Sequence, residues 1–128
     1  MIPYGFTREL DRPFDEVIAR VPDALQAQGF GVITKFDLSA KFKEKLGVDF
    51  RKYIVFGACN PPAALKAVCA EDNIGLLLPC NLIVYEKDGK TIVGVIKPSV
   101  TMQAVNNDAL APLAQEIEEK LRKVLESI

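Results

Sequence analysis

The sequence predicts an α+β fold of two layers, a mostly antiparallel sheet of about five strands covered by two long helices, with short helices between. Three observations carry that prediction. Amphipathic helical stripes stand near both ends of the chain, short apolar runs with strand character lie between them, and Asp88-Gly89 joins two of those runs as a tight hairpin. At 128 residues with 49% hydrophobic content, the chain is expected to form one domain with a packed core.

Each element follows from local chemistry. Ile2, Tyr4 and Phe6 alternate, which predicts a first strand over 2–10 with one buried face. Asp11 is a candidate N-cap and Pro13 a first-turn residue for a helix carrying Phe14, Val17, Ile18, Val21 and Leu25, stopped at Gly29. Pro22 lacks the N–H that would reach the Ile18 carbonyl, so a kink is predicted there. Phe30 to Phe36 reads as a second strand. Asp37 or Ser39 then caps a short helix with Phe42 and Leu46 on its apolar side, closed by Gly47.

Tyr53-Ile54-Val55-Phe56 is apolar throughout, as suits a central strand. Asn60 is a preferred cap and Pro61 fits the first position of a helix running to about Cys69. Leu76 to Tyr85 and Thr91 to Ile96 are predicted strands, and Asn107 or Asp108 opens a last helix with Leu110, Leu113, Ile117, Leu121 and Leu125 on one stripe. An apolar run such as Leu76-Leu77-Leu78 needs cover on both sides, from which a homodimer is expected.

Composition excludes much. Sixteen basic and seventeen acidic residues leave a net charge of -1, so nucleic acid is not an expected partner. No apolar stretch spans a membrane, and Met1-Ile2-Pro3-Tyr4 with charges soon after does not resemble a secretory signal; the expectation is a cytoplasmic protein with reduced thiols. There is no histidine. Ser-His and Cys-His nucleophile pairs and imidazole-containing zinc sites are thereby excluded.

Chemistry concentrates at two Cys-Asn pairs, Cys59-Asn60 and Cys80-Asn81, each beside proline and each after an apolar run. Cys59 ends a strand just before a helix start, where unpaired N–H groups and the helix dipole favour a thiolate. Cys80 follows Pro79, which suggests a strand start, edge or bulge. If the two strands are neighbours, two thiols and two amides share a pocket at the sheet end. Such a pocket suits a small molecule, an anion held by N–H groups, or a soft metal.

The leading expectation is a small-ligand-binding domain with Cys59, Asn60, Cys80 and Asn81 in its pocket. The alternatives are a thiol-based redox enzyme or sulfur carrier, with Cys59 as nucleophile and Cys80 as resolving partner, and a soft-metal protein using both thiols. Two cysteines are half of a tetrahedral site, so the metal version needs Met102 or a dimer mate, and the sequence leaves any cofactor unknown. Cys69, on a helix beside Val68, is expected in the core. Lys43 and Arg51 are lesser candidates for holding an anion, Lys97-Pro98-Ser99 and Asn106-Asn107-Asp108 are read as loop and capping chemistry, and Gly29-Phe30-Gly31 is too short for a dinucleotide fingerprint.

Gln28-Gly29-Phe30-Gly31-Val32, Lys45-Leu46-Gly47-Val48-Asp49, Gly57-Ala58-Cys59-Asn60-Pro61 and Leu77-Leu78-Pro79-Cys80-Asn81 together resemble the bacterial and archaeal family known as domain of unknown function 302. The resemblance spans nearly the whole chain, and the last two motifs are its most specific marks. It implies an α+β fold with helices covering a sheet, and homodimers. It implies no reaction, substrate or cofactor. Pro22 is a local departure from the pattern.

Overall fold

Backbone hydrogen bonding resolves the predicted strands into a single five-stranded sheet in the computed structural model, which describes residues 2–128. The strands are β1 (Gly5–Leu10), β2 (Gly31–Asp37), β3 (Tyr53–Cys59), β4 (Cys80–Lys87) and β5 (Lys90–Ile96), in the spatial order β1-β5-β4-β3-β2. Every neighbouring pair is antiparallel. The helices are α1 (Phe14–Ala27), α2 (Leu38–Leu46), α3 (Pro61–Ala70), α4 (Pro98–Thr101) and α5 (Ala111–Ser127). The architecture is the α+β one read from the sequence, with the long helices α1 and α5 on one face.

Turn chemistry fixes the register. Asp88 and Gly89 both take positive φ, 53° and 76°, as a type I′ turn requires, and Lys87 pairs with Lys90 across it. Asp37 caps α2 by accepting a hydrogen bond from the Ala40 N–H at 2.9 Å, and Gly47 closes that helix in the left-handed region.

Strand alternation sends Phe56, Ala58, Leu82, Val84, Val93 and Val95 to one face, where they meet Val17, Val21 and Leu25 of α1 and Leu121 and Val124 of α5. Full burial of each large side chain contributes about 1.5–3 kcal/mol. Arg8 donates to the Leu125 carbonyl at 3.0 Å and the Glu126 carbonyl at 2.7 Å, satisfying acceptors that the end of α5 leaves open. The Thr91 hydroxyl donates to the Arg12 carbonyl at 2.7 Å and ties the turn before α1 to β5.

The opposite face carries no long helix. Tyr53 and Tyr85 pair there with rings stacked 5.2 Å apart. β2 forms one edge, with all seven residues exposed; Ile33 is left out of the pairing between Val32 and Thr34, and the Lys35 ammonium lies 5.5 Å from the Phe56 ring centre.

Several local expectations are corrected. The first strand begins at Gly5, because Ile2 bridges back to Gly5 and Tyr4 stands exposed in the turn between them. Asp11 does not cap α1; it pairs with Lys90 instead, and Pro13 occupies the cap. Pro22 lies inside the continuous α1, as read from the sequence, on its exposed side, where water can serve the Ile18 carbonyl. Leu76 and Leu77 end a 3-10 segment, Asp72–Leu77, and β4 starts only at Cys80, after a cis Leu78-Pro79 bond. Gly75 and Pro79 bracket the leucine run that read as the start of one apolar strand. Lys97 precedes the short α4, and Asn107 caps a 3-10 turn, Asp108–Leu110, before α5 begins.

Gly57 marks the tightest approach within the sheet. A β-carbon there would lie 2.7 Å from Pro79 Cγ and collide with the Thr34 hydroxyl oxygen. Gly57→Ala should therefore destabilise the protein by about 1–3 kcal/mol in urea unfolding, with an unchanged m-value, since an inserted group must push well-packed neighbours apart.

Candidate functional site

The junction between β3 and α3 is built by three residues. Asn60 takes extended backbone angles and accepts a hydrogen bond through Oδ1 from the Ala63 N–H at 3.2 Å; its carbonyl accepts the first helical bond, from the Ala64 N–H at 2.9 Å. Pro61 and Pro62 fill the first two helical positions and have no N–H. The start of α3 therefore offers no free donor. That alters the thiolate argument for Cys59, because the unpaired amides it relied on are either absent or engaged by Asn60.

The helix that follows packs with its small side chains inward. Ala67 is buried and Ala63 packs on the main core, whereas Leu65 and Val68 are exposed. Cys69, expected in the core, is exposed as well, because the helix turns its Ala63 and Ala67 side, and not its Val68 and Cys69 side, to the protein. At the far end of α3, Asn107 Nδ2 donates to the Ala70 carbonyl at 3.0 Å and holds the helix against the segment before α5.

Between α3, the end of the sheet and α5 lies a cavity of about 190 Å³. Ala63, Ala64 and Ala67 form one wall, Leu113, Ala114 and Ile117 of α5 another, and Met102 and Leu78 a third. Cys59, Asn60 and Cys80 all line it. Strand alternation assigns Cys59 and Cys80 to opposite faces, since Ala58 is the residue paired with Cys80, yet both reach the cavity where β3 ends. Ile33, 59% exposed, stands at the rim.

Asn81 does not join this group. It is exposed, pairs with Gly57, and lines a separate shallow pocket with Ile83 and Ile96 on the face away from the long helices. Lys43 forms an ion pair with Asp49 at 2.9 Å, and the Arg51 guanidinium lies 4.3 Å from the Phe50 ring centre, so both have partners within the chain. Ser99 donates through its hydroxyl and its N–H to Glu118, joining α4 to α5. Among the described residues, no three Cys, Asp or Glu side chains gather where they could hold a metal ion.

Sequence reasoning singled out Cys59, Asn60 and Cys80 but did not find the alanine wall or the α5 contribution. The signal was Pro61-Pro62-Ala63-Ala64, a helix start too small to fill the space in front of it. That Leu113 and Ile117 face the same space depends on tertiary packing.

The two thiols differ in environment. Burial, reinforced by the nearby Cys59, pushes Cys80 up from the ordinary 9.0 to about 11. Cys80 is therefore held protonated at physiological pH, which makes it a soft apolar contact in the cavity wall.

These features define a class: a two-layer α+β domain with an apolar, thiol-bearing cavity at the end of an antiparallel sheet. The model of the family described as domain of unknown function DUF302 matches residues 6–128, and the chain belongs to that family. It is similar to the crystal structure of an uncharacterized conserved DUF302 protein from Bacillus stearothermophilus, with a TM-score of 0.91, 32% identity, and 98% of each chain covered. No curated protein matches the chain.

The thiol chemistry sets a pH dependence. Cys80 holds its proton more tightly in the folded than in the unfolded chain, so the unfolded state is the one that loses a proton first as pH rises. Its contribution of about 2–3 kcal/mol is fully present below pH 9 and disappears as pH climbs towards 11. Urea unfolding of wild type and Cys80→Ala should diverge in slope across that window, the wild type losing stability faster; identical slopes would contradict the assignment.

Proposed function

We propose that this protein is a small-ligand-binding domain whose ligand occupies the cavity bounded by Cys59, Asn60 and Cys80. The observation that carries the reading is the cavity itself. It is a concave, preformed space with little to gain from staying empty, which is how small-molecule sites present themselves. Three free cysteines, one of them exposed, fit a reducing cytoplasmic setting. The thiol-enzyme alternative draws less support, since Cys80 is held protonated and the start of α3 has no free amide for Cys59.

Amide-resolved NMR with a library of uncharged and charged fragments tests the reading. Shift changes should cluster on Ala58 to Ala67 and around Cys80, and Ala64→Phe, which fills the mouth, should abolish them. A library that moves no cavity amide would overturn the proposal.

The second part of the reading is a homodimer formed through α3 and the 3-10 segment that packs against it. Leu65, Val68, Leu76 and Leu77 are all exposed there, Leu76 at 87%, and apolar side chains gathered like this mark an association surface. Lys66, Glu71 and Asp72 flank them, and among the described residues none has an ion-pair partner. Basic and acidic groups both flank the patch, the charge pattern that a two-fold contact between copies can match and an anionic membrane cannot, which favours a second copy. Sedimentation should report a dimer for wild type and a monomer for Leu76→Asp with unchanged far-UV circular dichroism. A wild-type monomer at every concentration reached would refute this part alone.

A further inference from the structure

We infer that the cavity selects a compact, uncharged aromatic molecule of about one ring with short apolar substituents, an inference that rests on the ligand-binding reading and names its ligand class. Size comes first. The volume of about 190 Å³ exceeds that of an apolar cavity of about 150 Å³ that stays dry and takes up benzene. A ring fits with room for a methyl or ethyl group, whereas a nucleotide or a sugar phosphate does not.

The walls then decide the chemistry. Alanine methyls from α3 face leucine and isoleucine side chains from α5, and no charged residue lines the space. The single polar side chain there, Asn60, spends its oxygen on the Ala63 N–H, and its amide nitrogen is 3.2 Å from where a Gly29 β-carbon would lie. A carboxylate or phosphate placed in the cavity would find no cation, and with two prolines at the helix start it would find no helix N–H, which leaves the Asn60 amide nitrogen as the one side-chain N–H donor for the anion weighed in the sequence. A hard metal ion has no oxygen donor set.

Three sulfur-bearing side chains, Cys59, Cys80 and Met102, line the same space together with Phe30. Sulfur against the edge of an aromatic ring is favourable, and ring-to-ring contact with Phe30 adds to it, so this lining discriminates in favour of a π system over an alkane of equal size. Ile33 at the rim is the natural gate, being the one residue of β2 that is omitted from pairing with β3.

The test uses the full chain with toluene, cyclohexane, benzoate, inorganic phosphate and Ag(I) as separate probes, followed on cavity amides by NMR. Toluene should bind at least tenfold more tightly than cyclohexane or benzoate, and phosphate should cause no change at these residues. Ala64→Phe should weaken toluene at least tenfold without lowering the Tm. Because that variant could misplace α3, Met102→Leu provides a second arm: it keeps the volume, removes one sulfur, and should weaken toluene several-fold while leaving cyclohexane unchanged. Saturable binding of Ag(I), benzoate or phosphate at these amides without toluene would overturn the ligand class yet leave the ligand-binding reading standing. Silence from every probe and from the fragment library would overturn both.

Discussion

The inward packing of the alanine side of α3 is the constraint on which the distinctive parts of this structure depend. The helix is pinned at its start by Asn60 with the two prolines and at its end by Asn107 bonding to the Ala70 carbonyl. Between these fixed points its rotation is set, with Ala63 and Ala67 turned in and Leu65, Val68 and Cys69 turned out. An amphipathic helix ordinarily does the reverse, burying its larger apolar groups. Here the small residues leave a space that the sheet and α5 do not fill, and the larger residues remain on the surface. The cavity and the exposed leucines are thus two results of one rotation.

The electrostatic character of the cavity follows from the same junction. A helix start beside a strand end is usually a place where backbone N–H groups gather to meet negative charge. Proline at both of the first two positions removes that capacity, and the capping amide takes the next donor. What remains is a low-dielectric space in which a thiol such as Cys80 keeps its proton. Sulfur in this setting behaves as a polarisable apolar group, which suits an apolar lining.

Much of this was legible in the sequence, and the limits have physical causes. The layers, the antiparallel hairpin at Asp88-Gly89 and the Asn60 cap rest on local chemistry or period, and all are present, whereas the pairing of the Cys59 and Cys80 strands was only a condition in the sequence and is set by sheet order. The strand expected at Leu76 failed because hydrophobicity alone does not separate a strand from a 3-10 turn when Gly75 and Pro79 bracket the run. Asn81 parted from Cys80 because adjacent strand residues face opposite sides, a consequence of the pleat that treating each Cys-Asn pair as a unit overlooked. Cys69 was misplaced because helical rotation was judged by bulk, whereas the two ends of α3 decide it.

The exposed edge at β2 has a meaning for how copies of this chain meet. The outer edge of a seven-residue edge strand is a template that can recruit another strand, and the new strand offers a fresh edge in turn, so association there has no natural stopping point. Ile33, left out of pairing, breaks the spacing of that template, and Lys35 places a charge at its middle. A two-fold contact between any two copies of a protein, by contrast, ends after one step, because the same patch on each is covered by the other. A strand edge broken in this way is a poor template for growth along the sheet.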